Sequence, residues 1–311
     1  MEQNRLDFLK NAAVVAGSAL FLTDKSFSMP QPSDRTVRSS GPAEIFINHY
    51  TVSAFYAREG ISLMENLDRC FAELKEAGLA GFEASVGKPE ELDDFINALK
   101  KHSLQLRSIY ADGNLHDEAD AGDEIRRVIA IARRAKTAGT KIIVLNPRLK
   151  SGKSDEELNR QNQNLDKLGA ELRKMDMILA LHYHTTELEY AAREFHSFMC
   201  DTNPDNVSLC YDVHWSFRAS NNSAVSAYSH AKLYADRIAA LHLRQSRGGV
   251  WTETFVNKAD IDYDKTIAIL RQSKGFGNCL TVLEQAPEEG TPKTLKPLEI
   301  FKKSVEAVRK L

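Results

Sequence analysis

The chain has 311 residues, of which 42% are hydrophobic and 27% charged, as expected for a globular protein with one large core. Its formal net charge is −2, and its basic residues are interspersed with acidic ones. This argues against the basic stripe that binding to nucleic acid requires. The four cysteines are widely spaced and form no zinc-knuckle pattern.

Residues 1–42 have the pattern of an export signal followed by a linker. Arg5 and Lys10 precede a stretch of apolar and small residues over 12–22. This stretch is too short to span a bilayer as a helix but suits the hydrophobic core of a signal peptide. It resembles a twin-arginine signal, although Leu6 stands where the second arginine would be. We expect export, to the periplasm, and no membrane-spanning segment; an ordinary amphipathic helix is the alternative for these residues.

From residue 44 onwards, short aliphatic or β-branched runs alternate with helical patterns. The predicted strands are 44–52, 81–85, 104–111, 141–147, 177–184, 207–215, 237–245 and 279–286. Helical patterns lie between them, for example at 121–139, and a last helix at 297–311 follows the eighth strand. This alternation predicts an α/β fold, a single (β/α)8 TIM barrel over 43–311. A doubly wound open sheet is the alternative, but no glycine-rich nucleotide-binding loop follows any strand.

Side chains capable of chemistry stand at the C-terminal ends of these strands, where a barrel has its functional face. They are Glu83, Tyr110, Asp112, Asn146, His182, His184, Asp212, His214, His242, Arg244, Glu284 and Gln285. Side chains two apart on a strand point the same way, so each neighbouring pair can face one cavity. Imidazoles together with carboxylates suit Mn, Co, Zn, Fe or Ni, whereas Mg and Ca prefer more oxygen ligands. A hydrogen-bonded polar cluster is the alternative to a metal site.

The segments CYDVHW, RIAALHLRQ and TVLEQ resemble the xylose isomerase-like TIM barrel superfamily of sugar isomerases, ketose 3-epimerases, inosose dehydratases and AP endonucleases. The resemblance covers residues from about 44 to 311. In that superfamily Glu, Asp, His and Glu from strands five to eight typically hold one metal. The corresponding residues here are His182, Asp212, His242 and Glu284, so three of the four match. The segment LHYHTTEL is similar to a YHNHDFEF variant of the fifth strand in exported bacterial members.

The resemblance implies a divalent-metal-dependent sugar isomerase or epimerase that transfers a proton next to a carbonyl. We expect an unphosphorylated sugar, because an exported protein would seldom meet sugar phosphates. His184, His182 and Glu284 are the candidate catalytic residues, since each can carry a proton. The candidate substrate contacts are Glu83, Asp112, His214, Arg244 and Trp215.

Three other functions are considered. A lyase would eliminate a group from a 3-keto-sugar or 3-keto-glycoside, and the replacement of one family glutamate by His182 favours it somewhat. A sugar-binding barrel without catalysis would keep the fold but not the chemistry. An AP endonuclease is disfavoured, because that family has a histidine three residues after the strand-six aspartate, where this chain has Trp215.

Overall fold

The computed structural model describes residues 44–273 and 276–311. The predicted signal peptide and linker over 1–42 lie outside these residues, so export stays a prediction. None of the helices in the described part of the chain has the length and apolar character needed to cross a membrane.

Eight parallel strands close into a barrel, in which the first strand pairs with both the second and the last. The strands in chain order are β1 Ile45–Asn48, β2 Gly81–Ser85, β3 Ser108–Gly113, β4 Ile142–Pro147, β5 Ile178–Leu181, β6 Val207–Asp212, β7 Ile238–Leu243 and β10 Leu280–Leu283. Two short strands after β7, β8 Ser246–Arg247 and β9 Val250–Trp251, form an antiparallel hairpin. The prediction of a TIM barrel is confirmed.

Helices alternate with these strands along the chain. They are α1 His49–Ala57, α2 Leu67–Glu76, α3 Leu92–Lys101, α4 Ala121–Lys136, α5 Asp155–Lys174, α6 Glu189–Cys200, α7 Val213–Ala219, α8 Ala224–Tyr234, α9 Tyr263–Leu270 and α10 Pro297–Val308. The longest, α5, begins at a capping box, in which Ser154 Oγ accepts from Glu157 N–H at 3.2 Å and Glu157 Oε2 accepts from Ser154 N–H at 2.9 Å.

The alternation of side chains along each strand separates two hydrophobic clusters. The larger one contains outward-facing strand residues such as Ile143 and Leu179, which are buried together with helix residues. The smaller one fills the barrel interior and consists of Ile142, Val144, Ala180, Cys210 and Ala240. The next inward position on β6 and β7 is polar, Asp212 and His242. The barrel interior therefore ends in polar side chains at the C-terminal ends of its strands.

Two predicted strands are wrong in their second halves, where helices begin. The predicted strand 44–52 ends at Asn48, whose Oδ1 accepts from Tyr50 N–H and caps α1. The predicted strand 207–215 ends at Asp212, which caps α7 in the same way. The apolar and aromatic residues that follow each cap suit a strand as well as a buried helix, so the pattern alone does not mark the boundary.

The predicted strand 177–184 also ends early, at Leu181. His182 and His184 therefore follow β5 rather than belonging to it. His182 nevertheless keeps the strand pairing, because its N–H donates to Leu145 O at 2.9 Å. The predicted strand 104–111 begins late, at Ser108, and extends to Gly113.

Candidate metal centre

The structure brings together the four side chains that the sequence predicts as metal ligands. His182 follows β5, Asp212 ends β6, His242 lies in β7 and Glu284 follows β10. One ligand atom from each lies within 4.8 Å of the others, and all four residues are buried. Strand pairing accounts for this convergence, since Asp212 is aligned with His242, and His242 with Val282, two residues before Glu284.

Two of the ligand atoms have no hydrogen-bond partner among the described residues. They are His182 Nε2 and Asp212 Oδ2, which lie 3.6 Å apart. The same imidazole nitrogen lies 3.7 Å from Glu284 Oε2. Leaving a buried polar atom unpaired costs about 1–3 kcal/mol, and a cation between these atoms would pair both. The donor set therefore fits a divalent metal, with the imidazole and carboxylate ligands that Mn, Co, Zn, Fe or Ni accept.

The other nitrogen of His182 is held by Asn146. Asn146 Nδ2 donates to Pro147 O at 2.8 Å, so its Oδ1 is the acceptor that faces His182 Nδ1 at 3.3 Å. His182 Nδ1, which also lies 3.3 Å from Tyr110 Oη, is therefore the donor toward Asn146, and Nε2 faces the centre. A metal-binding histidine is commonly oriented by such a hydrogen bond from its other nitrogen. The sequence analysis assigned no role to Asn146.

Glu83 is fully buried beside His242, and its predicted contact with the substrate stays a prediction. Its Oε1 is 3.2 Å from His242 Nε2, and its two oxygens accept from Asn48 Nδ2 at 2.8 Å and Ser108 Oγ at 2.6 Å. Burial would raise the pKa of Glu83, but contacts with His242, Ser108 and Asn48 outweigh burial and lower it. The ionised carboxylate thus makes a charge contact with His242, whose Nδ1 lies 2.9 Å from Glu284 Oε2.

The two carboxylate oxygens of Asp212 have different roles, since one caps a helix and the other faces the centre. Its Oδ1 accepts from the backbone N–H groups of His214 at 2.8 Å and Trp215 at 2.9 Å. These are donors at the first turn of α7, which would otherwise lack partners. The cap holds the carboxylate so that Oδ2 faces His182.

His184 is half-buried beside the four predicted ligands. Its ring centroid lies 4.8 Å from that of His182 and 5.1 Å from that of Trp215. Burial, with a smaller contribution from His182, lowers the pKa of His184 to about 3, so the imidazole is neutral at pH 7. The backbone N–H of His184 donates to Glu187 Oε2 at 3.0 Å, and the ring Nδ1 has no partner among the described residues. The sequence analysis missed Glu187. Its position three residues after His184, in the segment HTTEL, was the signal that could have indicated a contact between the two residues.

Arg244 lies on the other side of Glu284. It is 1% exposed, its Nε donates to Glu284 O at 2.9 Å, and its Nη2 lies 3.2 Å from Glu284 Oε1. Its guanidinium carbon lies 4.2 Å from the ring centroid of Trp251 and 5.3 Å from that of Trp215. His214 is buried beside Trp251, at 6.1 Å between ring centroids. Arg244, Trp215 and His214 thus border the centre.

Asp112 is the predicted site residue that the structure does not bring into the cluster. Its side chain is 63% exposed and lies 3.5 Å from Arg127 Nη2. Arg127, in α4, also donates to Asp112 O and to Gly87 O. The end of β3 therefore pairs with α4 and not with the four candidate ligands, and a substrate contact by Asp112 stays a prediction.

Comparison with known proteins gives one match to a family and one to a curated protein. A family model described as xylose isomerase-like TIM barrel matches residues 71–311. The rhizopine catabolism protein MocC of Rhizobium meliloti is 24% identical over 201 residues. The matched stretch spans 59% of this chain and 59% of that relative.

Solved structures of similar fold include a sugar phosphate isomerase/epimerase from Parabacteroides distasonis, with a TM-score of 0.69, 13% identity and coverage of 89% of this chain and 97% of that one. The 3-keto-D-glucoside 4-epimerase of E. coli has a TM-score of 0.62 and 16% identity, covering 86% and 100%. The IOLI protein with a bound zinc atom has a TM-score of 0.61 and 18% identity, covering 86% and 97%. Likeness at these identities shows the fold alone. Because the family model spans most of the chain, the protein belongs to the xylose isomerase-like TIM barrel family.

Proposed function

We propose that the protein is a divalent-metal-dependent sugar isomerase or epimerase that moves a proton next to a carbonyl of an unphosphorylated sugar. The observation that carries the proposal is the buried convergence of His182, Asp212, His242 and Glu284, two of whose ligand atoms have no hydrogen-bond partner in the described part of the chain. A cation held there would polarise the substrate carbonyl and stabilise the negative charge that develops on its oxygen.

His184 is the proposed proton carrier. It stands next to the ligand set without belonging to it, its Nδ1 has no partner among the described residues, and its backbone is held by Glu187. A base must lie within hydrogen-bond reach of the proton that it removes. His182 and Glu284 are the alternatives, but Asn146 and Arg244 respectively already orient them toward the centre.

The proposal of a free sugar rests on the proposed export of the protein. The apolar stretch over 12–22 after Arg5 and Lys10 supports export. Outside the cytoplasm, phosphorylated sugars are scarce. A screen should therefore begin with unphosphorylated sugars.

A lyase acting on a 3-keto-sugar or 3-keto-glycoside is the second candidate. The observation that favours it is His182, which stands where the family has a glutamate and so leaves one carboxylate fewer for epimerisation. Elimination begins with the same removal of a proton beside a carbonyl, so His184 would have the same role in it. The two reactions differ in their products.

The first test measures metal by plasma mass spectrometry in the wild type and in Asp212→Asn. We expect about one equivalent of divalent metal in the wild type and none in the variant, since Asp212 supplies a charged ligand. Proton exchange is then followed by NMR in deuterated water with free sugars and 3-keto-glycosides. If neither protein binds Mn, Co, Zn or Ni, the proposal fails and a sugar-binding barrel becomes the better interpretation.

The second test replaces His184 by Gln. This variant should keep its metal and lose proton exchange, because His184 is not among the four ligands. If His184→Gln exchanges protons at the wild-type rate, the role belongs to another residue.

A further inference from the structure

Beside Glu284, three buried hydrogen-bond donors have no acceptor among the described residues. They are Nη1 of Arg244 and the indole Nε1 atoms of Trp215 and Trp251. The other two guanidinium nitrogens of Arg244 have partners. Nε donates to Glu284 O, and Nη2 faces Glu284 Oε1. We call Arg244, Trp215 and Trp251 the donor group.

The donor group is one compact arrangement. The guanidinium carbon of Arg244 lies 4.2 Å from the ring centroid of Trp251 and 5.3 Å from that of Trp215. The two indole centroids are 6.2 Å apart, with the rings at 79°. Trp215 also contacts His184, at 5.1 Å between centroids, so the donor group adjoins the proposed proton carrier. A ligand group held here would lie next to the reacting part of a sugar.

The chemistry of these donors selects what they can bind. Guanidinium and indole N–H groups donate hydrogen bonds and accept none. A sugar hydroxyl brings a hydrogen of its own, which would need an acceptor outside the donor group, such as His184 Nδ1. A carboxylate has about four lone-pair sites and no hydrogen, and guanidinium matches it in geometry and charge.

We propose that the donor group binds a carboxylate of the substrate, and that the sugar is therefore a sugar acid of the hexuronate class. The inference rests on the proposed function, because Arg244 shares Glu284 with the ligand set. The inference concerns the metal-loaded protein, in which a divalent cation and the guanidinium of Arg244 together offset the three carboxylates of Glu83, Asp212 and Glu284.

The two tryptophans provide the probe. The chain contains two Trp residues, and both belong to the donor group, so intrinsic tryptophan fluorescence reports on this site alone. The zinc-loaded full chain is titrated with D-glucuronate and D-galacturonate, and in parallel with D-glucose and D-galactose. We expect each hexuronate to reach half-saturation at a lower concentration than the corresponding neutral sugar. The difference should be about tenfold or more.

Arg244→Met removes the guanidinium and keeps a long apolar side chain. We expect it to lose the preference for hexuronates. Arg218→Met is the matched control, because Arg218 also lies over the Trp251 ring, at 4.7 Å, but its guanidinium is held by both oxygens of Glu288 at 2.8 Å. This control should keep the preference. Circular dichroism and metal content establish that both variants are folded with the centre intact.

Equal affinities for hexuronates and neutral sugars in the wild type, or a preference that survives in Arg244→Met, would overturn the inference. Failure of the inference and of the proposed function are distinguishable. Proton exchange into neutral sugars without a hexuronate preference removes the inference alone. A hexuronate preference in the zinc-loaded protein without proton exchange or elimination supports the inference and contradicts the proposed enzymatic activity.

Discussion

Single residues of the centre serve the fold and the proposed chemistry at once. Asp212 caps α7 with one oxygen and faces His182 with the other. Glu83 accepts from Asn48 and Ser108 inside the barrel while it faces His242. A substitution at either position therefore has two separable effects.

Asp212→Ala and Asp212→Asn separate the cap from the ligand. Both should lose metal, because neither supplies a charged oxygen to the centre. Asparagine can still cap α7, so the metal-free Asp212→Ala protein should be about 1 kcal/mol less stable than Asp212→Asn. Urea unfolding in the presence of a chelator measures this difference. Equal stabilities would show that the cap contributes nothing.

Glu83→Gln should weaken metal binding about 10–100-fold without removing a ligand, because the carboxylate in contact with His242 loses its charge. Competition with a chelator of known affinity measures the change. Glu253→Gln is the control, since Glu253 is another buried carboxylate but accepts from Thr294 and Leu295. Metal affinity unchanged in Glu83→Gln would contradict the role of Glu83.

Helices and strands place these residues through close packing that the sequence pattern does not reveal. Gly169, within α5, is an example, since a Cβ there would lie 2.1 Å from the backbone oxygen of Asn206, just before β6. Glycine therefore permits α5 to approach the start of the strand that ends in Asp212. Gly122, in α4, meets only the flexible end of Arg126 at 3.6 Å.

Gly169→Ala and Gly122→Ala should change stability in opposite directions. Alanine is favoured over glycine within a helix by about 1 kcal/mol, so Gly122→Ala should raise the free energy of unfolding by up to this amount. Gly169→Ala should lower it, because the clash with Asn206 involves backbone rather than a movable side chain. Denaturant unfolding measures both. A stabilised Gly169→Ala protein would refute the close approach.

At the scale of the whole molecule, the centre joins strands that are far apart in sequence. Its ligands come from β6 and β7 and from the residues just after β5 and β10, four of the eight barrel strands. A metal that binds all four ligands stabilises the closed barrel relative to the unfolded chain, in which the ligands are scattered.

Zinc should therefore raise the thermal midpoint of the wild type. At a free concentration of one hundred times the dissociation constant, binding contributes about 2.7 kcal/mol, or about 5–10 °C for a domain of this size. Scanning calorimetry with and without zinc measures the shift. Asp212→Asn should show none, and an equal shift in that variant would place the bound zinc elsewhere.

The sequence by itself determined the barrel and the four candidate ligands. Eight strand patterns alternating with helices leave few architectures, and the C-terminal ends of parallel strands in a closed barrel must meet at one face. His182, Asp212, His242 and Glu284 could thus be brought together from their positions at the strand ends. The ends of the strands were less predictable, because the residues after Asn48 and Asp212 suit a strand or a buried helix equally.

Only the tertiary structure decided what each remaining polar side chain faces. Glu83 turns to His242, and Asp112 turns to Arg127, although both end predicted strands. The pairing of Asn146 with His182, and the donor group around Arg244, likewise depend on contacts between distant segments. The physical reason is that alternation sets the direction of a side chain within a strand, whereas beyond the strand end its direction depends on the charges and donors that neighbouring elements present.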